Sequence, residues 1–92
     1  MALDVSVRSI EDMRNLSNDL KVLSDEMRET FRAAQKEVRS VEESWQDAQY
    51  LKFRDEFDTD VRDVERMSQR FREYAAHIDK LLQPLEDYKS IR

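Results

Sequence analysis

The 92-residue sequence predicts an all-α fold, an antiparallel two-helix hairpin that pairs with a second hairpin into a four-helix bundle. Three observations predict it. Charged residues make up 40% of the chain, Gly is absent and Pro occurs once, a composition that disfavours the turns of β-sheets and favours long helices with solvated faces. Apolar residues recur in steps of three and four over both halves of the chain, the spacing of one helical face. Between the halves lies Ser44-Trp45-Gln46-Asp47, which holds the single Trp and reads as a change of direction.

Residues 1–8 alternate loosely at Leu3, Val5 and Val7, an extended pattern. Ser9-Ile10-Glu11-Asp12 resembles a capping box, with the Ser9 hydroxyl placed to accept near Asp12 and acid in the first turn favouring the helix dipole. The first helix is expected from about residue 9 to 43. Its stripe runs Ile10, Met13, Leu16, Leu20, Leu23, Met27, Phe31, Ala34, Val38, Val41 and Trp45. The turn is expected at 44–47 and the second helix at about 48–83. There Tyr50, Phe57, Val64, Phe71, Ile78 and Leu85 fall seven apart, a heptad a-series. The d-series is Phe53, Asp60, Met67, Tyr74, Leu81 and Tyr88, and Val61, Ala75 and Leu82, one residue beyond d, widen the stripe.

Each helix would reach roughly 50 Å at 1.5 Å per residue, and a short turn makes the two antiparallel. A hairpin covers one side of each widened stripe, so a second hairpin is expected on the other, as a homodimer or with a homologous chain. The expected interface is Leu20, Leu23, Met27, Phe31, Phe57, Val64, Phe71 and Ile78. Pro84 lacks the amide donor and crowds the preceding turn, so the helix should end or kink near Gln83, with residues 84–92 either continuing after a kink or forming a tail.

Composition also excludes partners and chemistries. At a net charge of −5 with acids and bases interspersed, the chain has no basic face for nucleic acid. No apolar run approaches the roughly 20 residues that cross a bilayer, and the N-terminus has no apolar signal core. The chain is therefore expected in the cytoplasm or exported without a cleaved signal. With no Cys there is neither disulfide nor thiol chemistry. The acidic run from Asp55 to Asp63 lacks the glycine turn and terminal Glu of a calcium loop. It reads as a solvated helix face with Asp58 and Arg62 paired at i,i+4. Asp60, at a d position, is either a rim site relieved by Val61 or a buried polar group that fixes register. His77, the single histidine, has Glu73 and Lys80 beside it and no nucleophile to serve, and is expected to be exposed. No catalytic, cofactor or metal residues are expected.

A central Trp in a turn between two long amphipathic helices resembles the Trp-x-Gly (WXG) family of small helical-hairpin proteins exported by type VII secretion systems. Trp45 matches the family's Trp, and Phe53, eight residues on, matches its usual aromatic at the start of the second helix; Ala48 and Tyr50 suit the same segment. Asp47 stands where the family has Gly, as a residue that caps helices and tolerates unusual backbone angles. The family's export signal, Tyr-x-x-x-Asp/Glu, is not matched, because Ile78 follows Tyr74 by four and Arg92 follows Tyr88 by four. Large aromatics at such a position usually pack, so Trp45 is expected to cap the end of the core; the resemblance implies a non-enzymatic secretion substrate or co-secreted partner, with Trp45 and its turn recognised by a secretion ATPase or a paired chain. A cytoplasmic coiled-coil adaptor or export chaperone, holding a client helix in its groove, is the alternative expectation.

Overall fold

The computed structural model describes residues 7–90, which form two helices, α1 (Val7–Val41) and α2 (Ala48–Ser90), packed against each other as an antiparallel hairpin. The molecule is a rod of 68 × 22 × 15 Å. The extended reading of Leu3 and Val5, the d-position contact of the Tyr88 side chain, and the end of the chain at Arg92 lie outside the described residues.

The element boundaries differ from the sequence expectation in three places. Helix α1 starts at Val7, so Ser9 sits within the first turn and not at its cap; the buried Ile10 anchors that turn. It ends at Val41, where the Val41 carbonyl accepts from the amides of Ser44 (3.0 Å) and Trp45 (2.9 Å) and from the Ser44 hydroxyl. These bonds satisfy helix-end oxygen otherwise left without a partner. Helix α2 runs through Pro84 to Ser90. A mid-helix proline costs about 3 kcal/mol, but here packing on both sides of it opposes a break. Leu82 is buried two residues before it, and two residues beyond it Glu86 accepts from Arg14 across the hairpin. Pro84 itself faces outward.

The seam between the helices is not the line of largest apolar residues. On α1 its most buried members are Ile10, Ser17 and Ser24, spaced by seven, and on α2 they are Tyr50, Val61, Ser68, Ala75 and Leu82. Ser17 and Ser24 lie opposite Ala75 and Ser68. The Ser24 hydroxyl donates to the Ser68 carbonyl at 2.8 Å and the Ser17 hydroxyl to the Ala75 carbonyl at 3.3 Å. Such bonds from a two-atom side chain to the facing backbone require close approach of the helices, which side chains this small permit. Near the turn the Tyr50 hydroxyl donates to the Val38 carbonyl at 2.7 Å and its ring fills the end of the seam.

Candidate interaction face

Because the seam is centred on small residues, the large apolar side chains are displaced to one flank of each helix. On α1 the seam is flanked on one side by Met13, Leu20, Met27 and Ala34, then by Leu16 and Leu23, and on the other by Arg14, Lys21 and Gln35. On α2 one flank holds Phe57, Val64, Phe71 and Ile78, then Phe53, Met67, Tyr74 and Leu81; the other holds Asp58, Arg72, Asp79 and Glu86. Residues three and four apart share a helix face, so each flank is continuous.

The two polar flanks meet. From the open end toward the turn, Arg14 pairs with Glu86, Lys21 with Asp79 (2.8 Å), Arg72 with Asp25, Arg32 with Glu65 (3.6 Å), Arg39 with Asp58 (2.7 Å) and Arg54 with Glu42 (2.6 Å). Gln35 adds a bond to Asp58 at 3.1 Å. Asp58 therefore joins Arg39 and Gln35 of α1 and not Arg62, whose guanidinium donates to Thr59 at 3.1 Å; a partner across the seam replaces the expected pair along the helix. Asp79 accepts from Ser17 (2.5 Å) and Lys21, and these bonds, that from Lys21 foremost, hold its carboxyl below the ordinary value. Solvent screens these pairs and each adds little stability. Their arrangement sets the register of the helices and closes this edge with charge.

With the polar flanks cross-linked on one face, the two apolar flanks lie together on the opposite face and no other described residue covers them. Leu16, Leu23, Phe53, Met67, Tyr74 and Leu81 are each between 45% and 52% exposed. Leu20, Met27, Phe31, Phe57, Val64, Phe71 and Ile78 are half-buried along their inner edge. Seven of the eight residues expected at an interface lie on this face, and Phe31 lies on the seam line that runs through Ile10, Ser17 and Ser24. Phe53, Met67, Tyr74 and Leu81 of the α2 d-series, expected within the seam, form the outer half of the face, because Val61, Ala75 and Leu82 take the seam. Asp60 is an exposed interruption of the face and the neighbouring Val61 is buried, the rim arrangement. His77 is exposed at the margin.

At the turn the face ends in an aromatic cluster. The Trp45 ring lies 5.2 Å from Tyr50 and is stacked on Phe53 at 6.4 Å, and Phe53 is stacked on Phe57 at 6.0 Å. Trp45 is more than a third exposed, covering Tyr50 on one side and open on the other. Glu37, Val38 and Val41 complete a shallow notch with Trp45, Tyr50 and Phe53. Asp47 caps α2: its carboxylate accepts from the Tyr50 amide at 2.9 Å, and its carbonyl from the Leu51 amide at 3.2 Å. No described residue has a positive φ, so the turn makes no demand that only glycine could meet.

Sequence reading did not identify Ser17, Ser24 and Ser68 as seam residues. The signal was present as small residues at seven-residue intervals between the apolar ones, Ile10-Ser17-Ser24-Phe31-Val38 and Val61-Ser68-Ala75-Leu82. Among the described residues no group of three or more His, Cys, Asp or Glu side chains is placed to hold a metal ion, and no helix is long and apolar enough to cross a membrane. Comparison with protein-family models, curated proteins and solved structures finds no match to this chain.

Proposed function

We propose that this chain is a non-enzymatic pairing module that buries its open apolar face against a second helical hairpin, either its own copy or a homologous chain, in a four-helix bundle. The observation that carries the reading is the uncovered face from Leu16 and Leu81 to Phe53, opposite an edge already closed by ion pairs. Monomeric soluble proteins seldom expose contiguous apolar patches of such length. The accessible surface supports the same reading. The chain exposes 7367 Å², against roughly 5,700 Å² for a compact monomer of this mass, 11.1 kDa. The excess exceeds the roughly 800 Å² per partner of a stable interface.

The biological setting we propose follows the resemblance to Trp-x-Gly proteins: a small type VII secretion substrate or co-secreted partner, leaving the cell without a cleaved signal. The exposed side of Trp45, beside its notch, is the surface offered to a secretion ATPase. Asp47 is compatible with this assignment of the turn, because it caps α2 and no described residue there has the positive φ that would require the family's glycine.

The test is a double substitution, Leu23→Glu with Met67→Glu, on the open face. Both side chains are exposed in the single hairpin, so its stability should change by about 0.5 kcal/mol or less. Light scattering at micromolar concentration should report two chains per particle for the wild type, alone or with the hairpin chain that co-purifies from its native cells, and one for the variant with unchanged helical circular dichroism. A wild type that stays a single chain and recruits no second hairpin overturns the reading. Recovery with an unrelated protein contributing a single helix would assign the face to a client instead.

A further inference from the structure

The notch at the turn end has a volume of about 200 Å³ and is lined by the rings of Trp45, Tyr50 and Phe53 and the aliphatic side chains of Val38 and Val41. Glu37 stands among them as the one charged member. The residues three and four away from Glu37 on α1 are Ala33, Ala34, Ser40 and Val41, so no base on its own helix faces it. Among the described residues its carboxylate takes no part in the ion pairs that close the opposite edge. Trp45 is held in place from the other side. Its side chain donates to the Asp47 carboxylate, and the indole N–H is the one donor it has. With that bond and the stack on Phe53 the ring is fixed, yet Trp45 stays more than a third exposed. The surface is therefore ordered before any ligand arrives.

The net charge of the chain collects at the same end. Between Glu37 and Asp60 the sequence holds eight acids and three bases, a surplus equal to the whole net charge of −5, so the remaining residues balance. Arg39 and Arg54 are taken by Asp58 and Glu42. That leaves Lys52 to set against Glu37, Glu43, Asp47, Glu56 and Asp60, all of them exposed. A concave surface surrounded by one sign of charge concentrates the opposite charge from solution.

We infer that the notch takes an arginine side chain from a basic segment of a protein partner, its guanidinium laid against the Trp45 and Phe53 rings and donating to the Glu37 carboxylate. This rests on the reading of the exposed side of Trp45 as a recognised surface, and it names the chemistry recognised there. The face of an aromatic ring attracts a cation through its quadrupole, Trp most strongly. Arginine suits the site better than lysine, because its planar group stacks on rings, presents paired donors to a carboxylate and is less strongly hydrated than an ammonium. An apolar side chain in the same place would cover Glu37 and leave its carboxylate desolvated without a partner. An acidic segment would meet the surplus of like charge.

Trp45 is the single tryptophan of the chain, so its emission reports on the site directly. The full chain is titrated with a blocked peptide of alternating arginine and glycine, and with the same peptide carrying citrulline, the uncharged isostere, in place of arginine. The arginine peptide should change Trp45 emission to saturation, and the citrulline peptide should bind about tenfold more weakly. Glu37→Gln, an exposed substitution outside the cap and the ion pairs, should weaken the arginine peptide about fivefold with unchanged helical circular dichroism. Glu11→Gln makes the same change of charge roughly 40 Å away along α1, several screening lengths at ordinary salt, and should leave binding within about twofold of wild type. Equal binding of the two peptides, equal losses from the two variants, or no saturable change with the arginine peptide overturns the inference. A native partner that still shifts Trp45 emission in that event leaves the turn as a recognised surface of different chemistry. If neither the peptide nor a native partner shifts it, both readings fall.

Discussion

At Asp47 the carboxylate accepts the Tyr50 amide, and that bond, followed by one from the Trp45 side chain and a further one from the Gln49 amide, holds its pKa below the ordinary value. A carboxyl whose pKa is lowered on folding adds stability above its unfolded pKa, and loses it as pH falls through the folded value. Asp47→Ala should therefore lower the thermal midpoint at neutral pH by about 5 °C, as the loss of a helix cap does in a small domain. The gap between variant and wild type should close as pH falls through the lowered folded value. Melting curves followed by circular dichroism across pH check this, and a gap that persists at low pH would show that the cap is not the source. The turn's capping role was legible in the sequence as an Asp just ahead of a helical pattern. The bond from Trp45 was not, because it depends on how the chain folds back between Val41 and Asp47.

At the scale of the helices, Ser17 and Ser24 explain why the apolar stripe and the seam are different lines. A hydroxyl that bonds to the facing backbone can occupy a buried position without an unsatisfied polar atom, and no such buried side-chain atom is found among the described residues. Ser24→Leu places a branched side chain where the helices touch and should destabilise the hairpin by about 2 kcal/mol. Urea denaturation is the measure. A stability equal to wild type would mean that the helices do not approach closely at this level. Pro84 makes a related point, since its position predicts an end or a kink near Gln83, and α2 runs on to Ser90 with Leu82 buried two residues before the proline. Helix propensity is a local term of a few kcal/mol at most, and packing on either side of the break can exceed it.

For the whole molecule, the decisive feature is the division into two faces, one closed by charge and one left apolar. A hairpin of two helices buries few residues fully, here Ile10, Tyr50, Val61, Ala75 and Leu82 among the apolar ones, and small cores of this kind are marginal alone. Pairing would enlarge the core, so stability should depend on concentration. A tenfold rise in protein should raise the thermal midpoint by about 3 °C if the melting unit is a dimer. A midpoint independent of concentration from micromolar to millimolar would mean that folding and pairing are not coupled.

The sequence by itself determined that the chain is two long helices, that they reverse near Trp45, and that an apolar stripe of seven-residue period runs along each. These follow from spacing and composition, which act within a few turns of helix. Only the tertiary structure decided which part of the widened stripe the hairpin would bury. Small residues allow the closest contact between helices, and the charges of Arg14, Lys21, Asp79 and Glu86 find partners only when that flank faces inward at the edge. The apolar side chains left over on the other flank are therefore a consequence of packing, and that remainder makes the face from Leu16 to Phe53 the candidate site.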